Sequence, residues 1–154
     1  MYSVPVTSAV STPPIIPYGQ EQNWTSSIAC MRSLCDLKIG EATLVERFGV
    51  QNCIQTADAI INSKMIPGNC EYYRSDEDDD LSVIHTMLSD GFGVMVHWGK
   101  YVERWSVVLG IVPRQERDMW DFVLWDPAYM RAIIVTNKEV EDGFRSFIAI
   151  RRGT

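Results

Sequence analysis

Ser26 is the first residue in the chain whose type and position could support chemistry. Thr25, Ser26 and Ser27 are residue types that favour the N-terminal cap of a helix. Apolar residues then recur at helical spacing, at Ile28, Met31, Leu34 and Cys35. The pattern predicts a helix that begins close to Ser26, where the helix dipole stabilises negative charge. Considered alone, Ser26 would be an ordinary N-cap.

Gln20 lies six residues before Ser26, and Ala29, Cys30 and Met31 follow it. This segment resembles the active-site entry of papain-like cysteine peptidases, in which a Gln and five further residues precede the nucleophilic Cys of a long helix. The compact bacterial members are the most similar: secreted papain-like proteases of plant pathogens and the leader-peptidase domains of peptide-exporting ABC transporters. The resemblance implies that Gln20 lies at the position of the Gln that helps to form the oxyanion hole. Ser26 lies at the position of the nucleophilic Cys.

Two later segments extend the resemblance to about Ala128. The segment RWSVVLG at 104–110 looks like the strand that the catalytic His begins in these families, with Arg104 at the His position. The segment VLWDPA at 123–128 looks like the strand and turn that supply the orienting acid, and Asp126 matches that acid. The strand-like segment at 91–98 resembles the strand before the His strand.

The family mechanism needs a thiolate, an imidazole that exchanges a proton, and a carboxylate that orients the imidazole. Ser26 is a poor nucleophile without a base. Arg104 is no base, because a guanidinium stays charged in proteins and has no acceptor atom. We therefore expect a catalytically degenerate peptidase, a pseudoenzyme that binds a peptide or protein segment. An ion pair between Arg104 and Asp126 would preserve the shape of the cleft.

Two alternatives remain open at this point. The first is an active papain-like cysteine protease, such as a bacterial effector or toxin, with Ser26 in place of the Cys. The second is an immunity-type or other interaction protein that retains only the fold. Lys100 and His97 are candidate replacement bases, although a solvated turn Lys and a buried, hydrogen-bonded His are the simpler interpretations. Cys30 lies one helical turn beyond Ser26, and we expect it in the core.

Three tryptophans could anchor a peptide in such a cleft. Trp24, Trp98 and Trp105 lie in or beside the matching segments. Exposed aromatic side chains suit peptide recognition, and an extended peptide can also bind by strand addition. Ordinary core packing is the alternative for each Trp.

Composition excludes several classes of partner. The chain has 154 residues, a net charge of −6 and a pI of about 4.8, so we expect no binding to nucleic acid or anionic membranes. The four cysteines contain no CxxC pair, which favours reduced thiols over disulfides or zinc. The acidic run at 76–80 lacks the ligand spacing of an EF-hand, so we expect no metal and no cofactor.

The order of the predicted elements indicates an α+β fold. Residues 1–19 form a Pro-rich extended arm, and residues 20–154 form a single papain-like domain. Helices at about 27–38, 41–48 and 52–64 form an N-terminal half, which packs on a C-terminal antiparallel sheet. The N-terminus carries no positive charge and is interrupted by prolines, and no apolar run could span a bilayer. These features predict a cytoplasmic protein or one exported without a signal peptide.

Overall fold

The computed structural model describes residues 6–50, 52–116 and 118–153. Its helices are α1 (Ser26–Cys35), α2 (Glu41–Phe48), α3 (Ala57–Asn62), α4 (Ser82–Ser89) and α5 (Asn137–Asp142). Its strands are β1 (Val10–Ser11), β2 (Cys70–Arg74), β3 (Gly93–Trp98), β4 (Arg104–Pro113), β5 (Trp120–Asp126), β6 (Arg131–Thr136) and β7 (Ser146–Arg152). The prediction of an N-terminal helical half on a C-terminal antiparallel sheet is confirmed.

All seven strands join one antiparallel sheet. The strand order is β2-β7-β3-β4-β5-β6, and β1 pairs with β4. Strand β3 is buried along its whole length, because apolar clusters cover both faces of the sheet. Val94 and Val96 contribute to one cluster, with α4 and α5. Met95 contributes to the other, with α1 to α3.

Helix α1 crosses the sheet at close range. Nine of its ten residues are buried, so it runs through the interior and not along the surface. A Cβ atom at Gly93 on β3 would lie 2.6 Å from Cδ2 of Leu34. A larger residue at this position would require the Leu34 side chain to shift, so Gly93 favours the close packing of α1 on the sheet.

Two predicted helix ends differ from the structure. Helix α1 ends at Cys35 and not near Lys38, because Asp36 adopts a left-handed conformation with φ of 53° and its N–H bonds to the carbonyl of Arg32. Gly40 ends no helix and is the N-cap of α2. Helix α3 begins at Ala57 and not near residue 52, because the side chain of Thr56 caps it by accepting from the N–H of Ala59.

The described part of the N-terminal arm lies along the domain. Val6 is buried in the core cluster on the α4 side, and the carbonyl of Tyr18 accepts the indole N–H of Trp125 at 2.9 Å. Residues 1–5 of the predicted arm lie outside the described residues. Within the described ranges, no helix has both the length and the apolar character that crossing a membrane requires.

Candidate functional site

A cleft forms where the start of α1, the start of β4 and the end of β5 meet. Its volume is about 160 Å³. The side chains that line it are Gln20, Asn23, Ser26, Val102, Glu103, Arg104, Asp126, Ala128 and Tyr129. The structure therefore brings the four predicted positions, Gln20, Ser26, Arg104 and Asp126, together in one cleft, although they are spread over more than 100 residues of sequence.

Ser26 connects the helical half to the sheet. It is the first residue of α1 and is buried, and its Oγ accepts the backbone N–H of Trp105 at 3.0 Å. Thr25 is the N-cap, but its hydroxyl bonds to the backbone of Gln22 and not to the helix. Ser26 is thus held by a contact with β4, and its hydroxyl proton remains available for donation.

Gln20 connects the loop before α1 to the turn after β5. Its backbone N–H donates to the carbonyl of Pro127 at 3.1 Å, and its side-chain amide donates to the carbonyl of Gln22 at 2.9 Å. The first bond ties the loop before α1 to the turn after β5. The second commits the side-chain amide to its own loop.

Arg104 does not pair with Asp126, and the hypothesis of an ion pair between them is wrong. No ion pair joins the two residues, both of which the structure describes. The guanidinium carbon of Arg104 lies 4.2 Å from the ring centroid of Trp98, its cross-strand neighbour. Stacking on the indole holds the cation on that side. Its Nε is buried and has no acceptor among the described residues.

Asp126 ends β5 as a buried carboxylate. Its Oδ1 accepts the backbone N–H of Ala128 at 3.1 Å, which closes the turn after the strand. Burial raises the pKa of the Cys30 thiol well above its usual value, and the negative charge of Asp126 raises it further. Cys30 therefore stays protonated in the core, as expected, and cannot serve as a nucleophile.

The interpretation of Trp98 and Trp105 as exposed peptide anchors is wrong. Trp98 is 5% exposed and Trp105 is fully buried. Each indole N–H is satisfied inside the protein, that of Trp98 by Ser106 Oγ at 3.1 Å and that of Trp105 by the carbonyl of Gln55 at 2.7 Å. Both residues pack in the interior because strand β4 and its neighbours are covered on both faces. Trp24 is half-buried beside the cleft.

His97 does not line the cleft. Its ring stacks on Trp105, with centroids 4.8 Å apart and planes at 13°. Its Nε2 lies 3.1 Å from Oε1 of Glu103, and the same carboxylate oxygen bonds to Arg145. Burial lowers the pKa of His97 below its usual value of 6.5, although Glu103 acts in the opposite direction. The simpler prediction of a buried, hydrogen-bonded His is confirmed for its burial, but the approach of Nε2 to Glu103 lacks hydrogen-bond geometry.

Lys100 is also directed away from Ser26. Its Nζ lies 3.1 Å from Oδ2 of Asp142 at the surface, where both side chains are about half exposed. The simpler prediction of a solvated turn lysine is confirmed, and no Ser-Lys pair forms.

We expect His97 to make the stability of the fold depend on pH. Because the folded state disfavours its protonation, the unfolded chain binds the proton at a higher pH than the folded chain. The free energy of unfolding should therefore fall as pH falls from 6.5 towards the folded-state pKa, by at most about 1.4 kcal/mol per pH unit. Urea titrations of the native protein and of His97→Gln at several pH values measure this slope. The variant should have the shallower slope, and equal slopes would contradict this account.

Sequence reasoning missed the apolar rim of the cleft. Val102 and Tyr129 line the cleft and are largely exposed, and Tyr101 and Met130 are exposed beside them in the same two turns. The clue in the sequence is an aromatic residue in each turn, Tyr101 and Tyr129, beside a segment that resembles the peptidase motifs. Large side chains in turns cannot alternate into a core as strand residues do, so they remain at the surface.

A scan of protein-family models found no match to the chain, and a search of curated proteins found none either. Two solved structures are similar. One is the peptidase domain of Streptococcus ComA, a bi-functional ABC transporter involved in a quorum sensing pathway. It is 16% identical with a TM-score of 0.64, and the match covers 89% of this chain and 97% of that chain.

The other is UfSP from C. elegans, which is 10% identical with a TM-score of 0.63. The match covers 99% of this chain and 36% of that one, so this chain spans about a third of the length of UfSP. Identities this low are informative about the fold alone. On that evidence, the chain has the α+β fold of papain-like cysteine peptidases.

Proposed function

We propose that this domain is a catalytically degenerate papain-like peptidase that binds a peptide or protein segment in the cleft around Ser26. One observation carries the proposal. Among the described residues that line the cleft there is neither an imidazole nor a thiol, although Ser26, Arg104 and Asp126 occupy it together. The cleft contains the four positions that match the family's motifs and lacks the groups that cysteine-peptidase chemistry needs.

Ser26, Arg104 and His97 do not replace the missing thiol and imidazole. The Ser26 hydroxyl is un-ionised near neutral pH, and it already accepts one hydrogen bond from the backbone of β4. The Arg104 guanidinium remains charged and offers no lone pair for a proton. His97 is occupied by its stacking on Trp105 and by the Glu103 carboxylate. Neither Arg104 nor His97 can therefore accept the proton of the Ser26 hydroxyl.

The same residues suit binding. Arg104 Nε is a buried donor without an acceptor in the part of the chain that the structure describes, and leaving such a group unpaired costs about 1–3 kcal/mol. The carbonyl oxygen of a bound peptide would satisfy it, and the Ser26 hydroxyl can donate to a second carbonyl. Val102 and Tyr129 supply exposed apolar surface at the rim. This combination of a few fixed donors and an apolar rim is typical of peptide sites.

A second candidate function is an active cysteine peptidase, a bacterial effector for example, in which Ser26 replaces a natural Cys. The grouping of Gln20, Ser26 and Asp126 in one cleft favours it. It requires a base other than Arg104. The immunity-type alternative predicts instead a partner that binds outside the cleft.

We expect the immobilised native protein to retain a subset of a random peptide library, with every retained peptide intact by mass spectrometry. Tyr129→Ser should weaken the affinity for a retained peptide about 5- to 30-fold, which corresponds to about 1–2 kcal/mol at an interface anchor. Ile134→Ser is the matched control, because Ile134 and Tyr129 are both 70% exposed and Ile134 is not among the residues that line the cleft.

Cleaved peptides in this experiment would favour the peptidase alternative. Equal losses of affinity in Tyr129→Ser and Ile134→Ser would contradict the assignment of binding to the cleft.

A further inference from the structure

A second and larger cavity lies between the start of α4, the start of β5 and helix α5. Its volume is about 510 Å³, within the range of small-ligand sites. The residues that line it are Asp79, Asp80, Leu81, Asp118, Trp120, Asn137, Lys138, Glu141 and Phe144. It shares no lining residue with the cleft around Ser26. Leu81 and Trp120 belong to the core cluster on the face of the sheet opposite α1.

The lining of this cavity is strongly acidic. Its described residues include four carboxylates and one lysine, which leaves three uncompensated negative charges. Two of the carboxylates already accept hydrogen bonds from neighbouring residues: Asp79 accepts from the Tyr73 hydroxyl at 2.6 Å, and Asp80 accepts the N–H of Ser82 at 2.7 Å. The other two, on Asp118 and Glu141, are exposed at the mouth. These charges favour a cationic ligand.

Lys138 compensates this charge only in part. Its Nζ lies 3.8 Å from Oδ2 of Asp118, and both side chains are more than half exposed. Pairs of this kind contribute little energy, because water and salt screen them. A ligand cation can therefore compete for Asp118 at small cost.

Trp120 provides the second observation that indicates a ligand. It is only 4% exposed, and its indole N–H has no acceptor among the described residues. The backbone of Trp120 is fixed, because its N–H donates to Oδ1 of Asn137 at 3.1 Å, while Nδ2 of Asn137 donates to the carbonyl of Asp118 at 3.0 Å. The wall of the cavity thus presents a positioned tryptophan whose donor is unpaired.

We propose that this cavity binds a basic peptide segment through an arginine or lysine side chain. The cationic group pairs with Asp118 and Glu141, and its aliphatic stem packs on Leu81 and Phe144. A backbone carbonyl of the same segment accepts the indole N–H of Trp120. A free polyamine would satisfy the carboxylates but carries no acceptor for Trp120, so a peptide fits the site better. The proposal is independent of the function assigned to the cleft, and either can fail without the other.

The test is an NMR titration of the ¹⁵N-labelled native protein with acetyl-Gly-Arg-Gly-amide. The indole N–H resonance of Trp120 is assigned as the one missing from the spectrum of Trp120→Phe. We expect this resonance to shift with the arginine peptide and not with the citrulline analogue, which has nearly the same shape and no charge. Raising the salt concentration should weaken binding, since exposed charges are screened.

Variants that remove one carboxylate each test which acidic side chains contact the cationic group of the peptide. Glu141→Gln and Asp118→Asn should each raise the Kd of the arginine peptide about 2- to 5-fold, which corresponds to about 0.4–1 kcal/mol for an exposed ion pair. Glu46→Gln is the matched control: it removes one exposed carboxylate from α2, away from the cavity, and should leave the Kd unchanged.

Three outcomes would overturn the proposal. The Trp120 resonance could fail to move at millimolar arginine peptide, or move equally with the citrulline analogue. An equal effect of Glu46→Gln and Glu141→Gln would indicate general electrostatic attraction by an acidic protein. A Trp120 shift that spermidine reproduces at the same concentration would assign the site to free polycations and not to peptides.

Discussion

Trp105→Ala should lower the free energy of unfolding by about 3–5 kcal/mol, the usual cost of truncating a large aromatic core residue. Trp105 is fully buried and is among the largest side chains in the interior. The variant also leaves the carbonyl of Gln55 without its donor and His97 without its stacking partner. Because domains are stable by only about 5–15 kcal/mol, this loss should be visible as a lower midpoint in urea or guanidinium titrations.

The control for this prediction is Tyr101→Ala. Tyr101 is 90% exposed, so its truncation should change the free energy of unfolding by no more than about 0.5 kcal/mol. A loss below about 1 kcal/mol in Trp105→Ala would contradict the buried position of the indole. It would return Trp105 to the list of candidate peptide anchors.

Ser26→Cys alone should give no turnover of the peptides that the native protein retains, whereas Ser26→Cys combined with Arg104→His should cleave them. A thiolate at the start of α1 gains from the helix dipole, but the single variant still has no residue that can take its proton. The double variant adds an imidazole in the cleft that Asp126 also lines. A positioned general base contributes about 10²- to 10⁴-fold, so the rates should differ by at least about 100-fold.

Arg104→His alone is the control, since it lacks the thiol and should be as inactive as the native protein. Far-ultraviolet circular dichroism establishes that each variant is folded. Turnover by Ser26→Cys alone would contradict the account, because it would show that a residue other than 104 serves as the base. The chain would then be a peptidase with a replaced nucleophile.

The C-terminal antiparallel sheet could be predicted from the order of the elements, and β3 to β7 lie in it. The ends of the helices could not be predicted as well. Helix ends are set by caps that hydrophobic periodicity does not report. Asp36 in its left-handed conformation ends α1 early, and Thr56 starts α3 late. Tertiary packing determines which of several possible capping residues ends a helix. The local sequence pattern does not contain this information.

The grouping of the cleft residues could be anticipated, but their contacts could not. Once the fold is assumed, the order of the elements brings together the start of α1, the start of β4 and the end of β5, and with them Ser26, Arg104 and Asp126. Arg104 stacks on Trp98 and does not pair with Asp126, because the register of β3 and β4 places Trp98 directly opposite Arg104. The sequence pattern does not give this register. The acidic cavity was missed because Asp79, Trp120 and Glu141 come from three distant parts of the chain, which only folding brings together.

The most direct test of the central claim is an NMR titration of the native protein with one peptide that it retains. The claim is that the cleft around Ser26 binds peptides without cutting them. We expect shifts at the backbone amides of Ser26 and Trp105 and at the Arg104 Nε–H, with the peptide unchanged in mass after the titration. Shifts confined to residues outside the cleft, or fragments of the peptide in the sample, would contradict the claim.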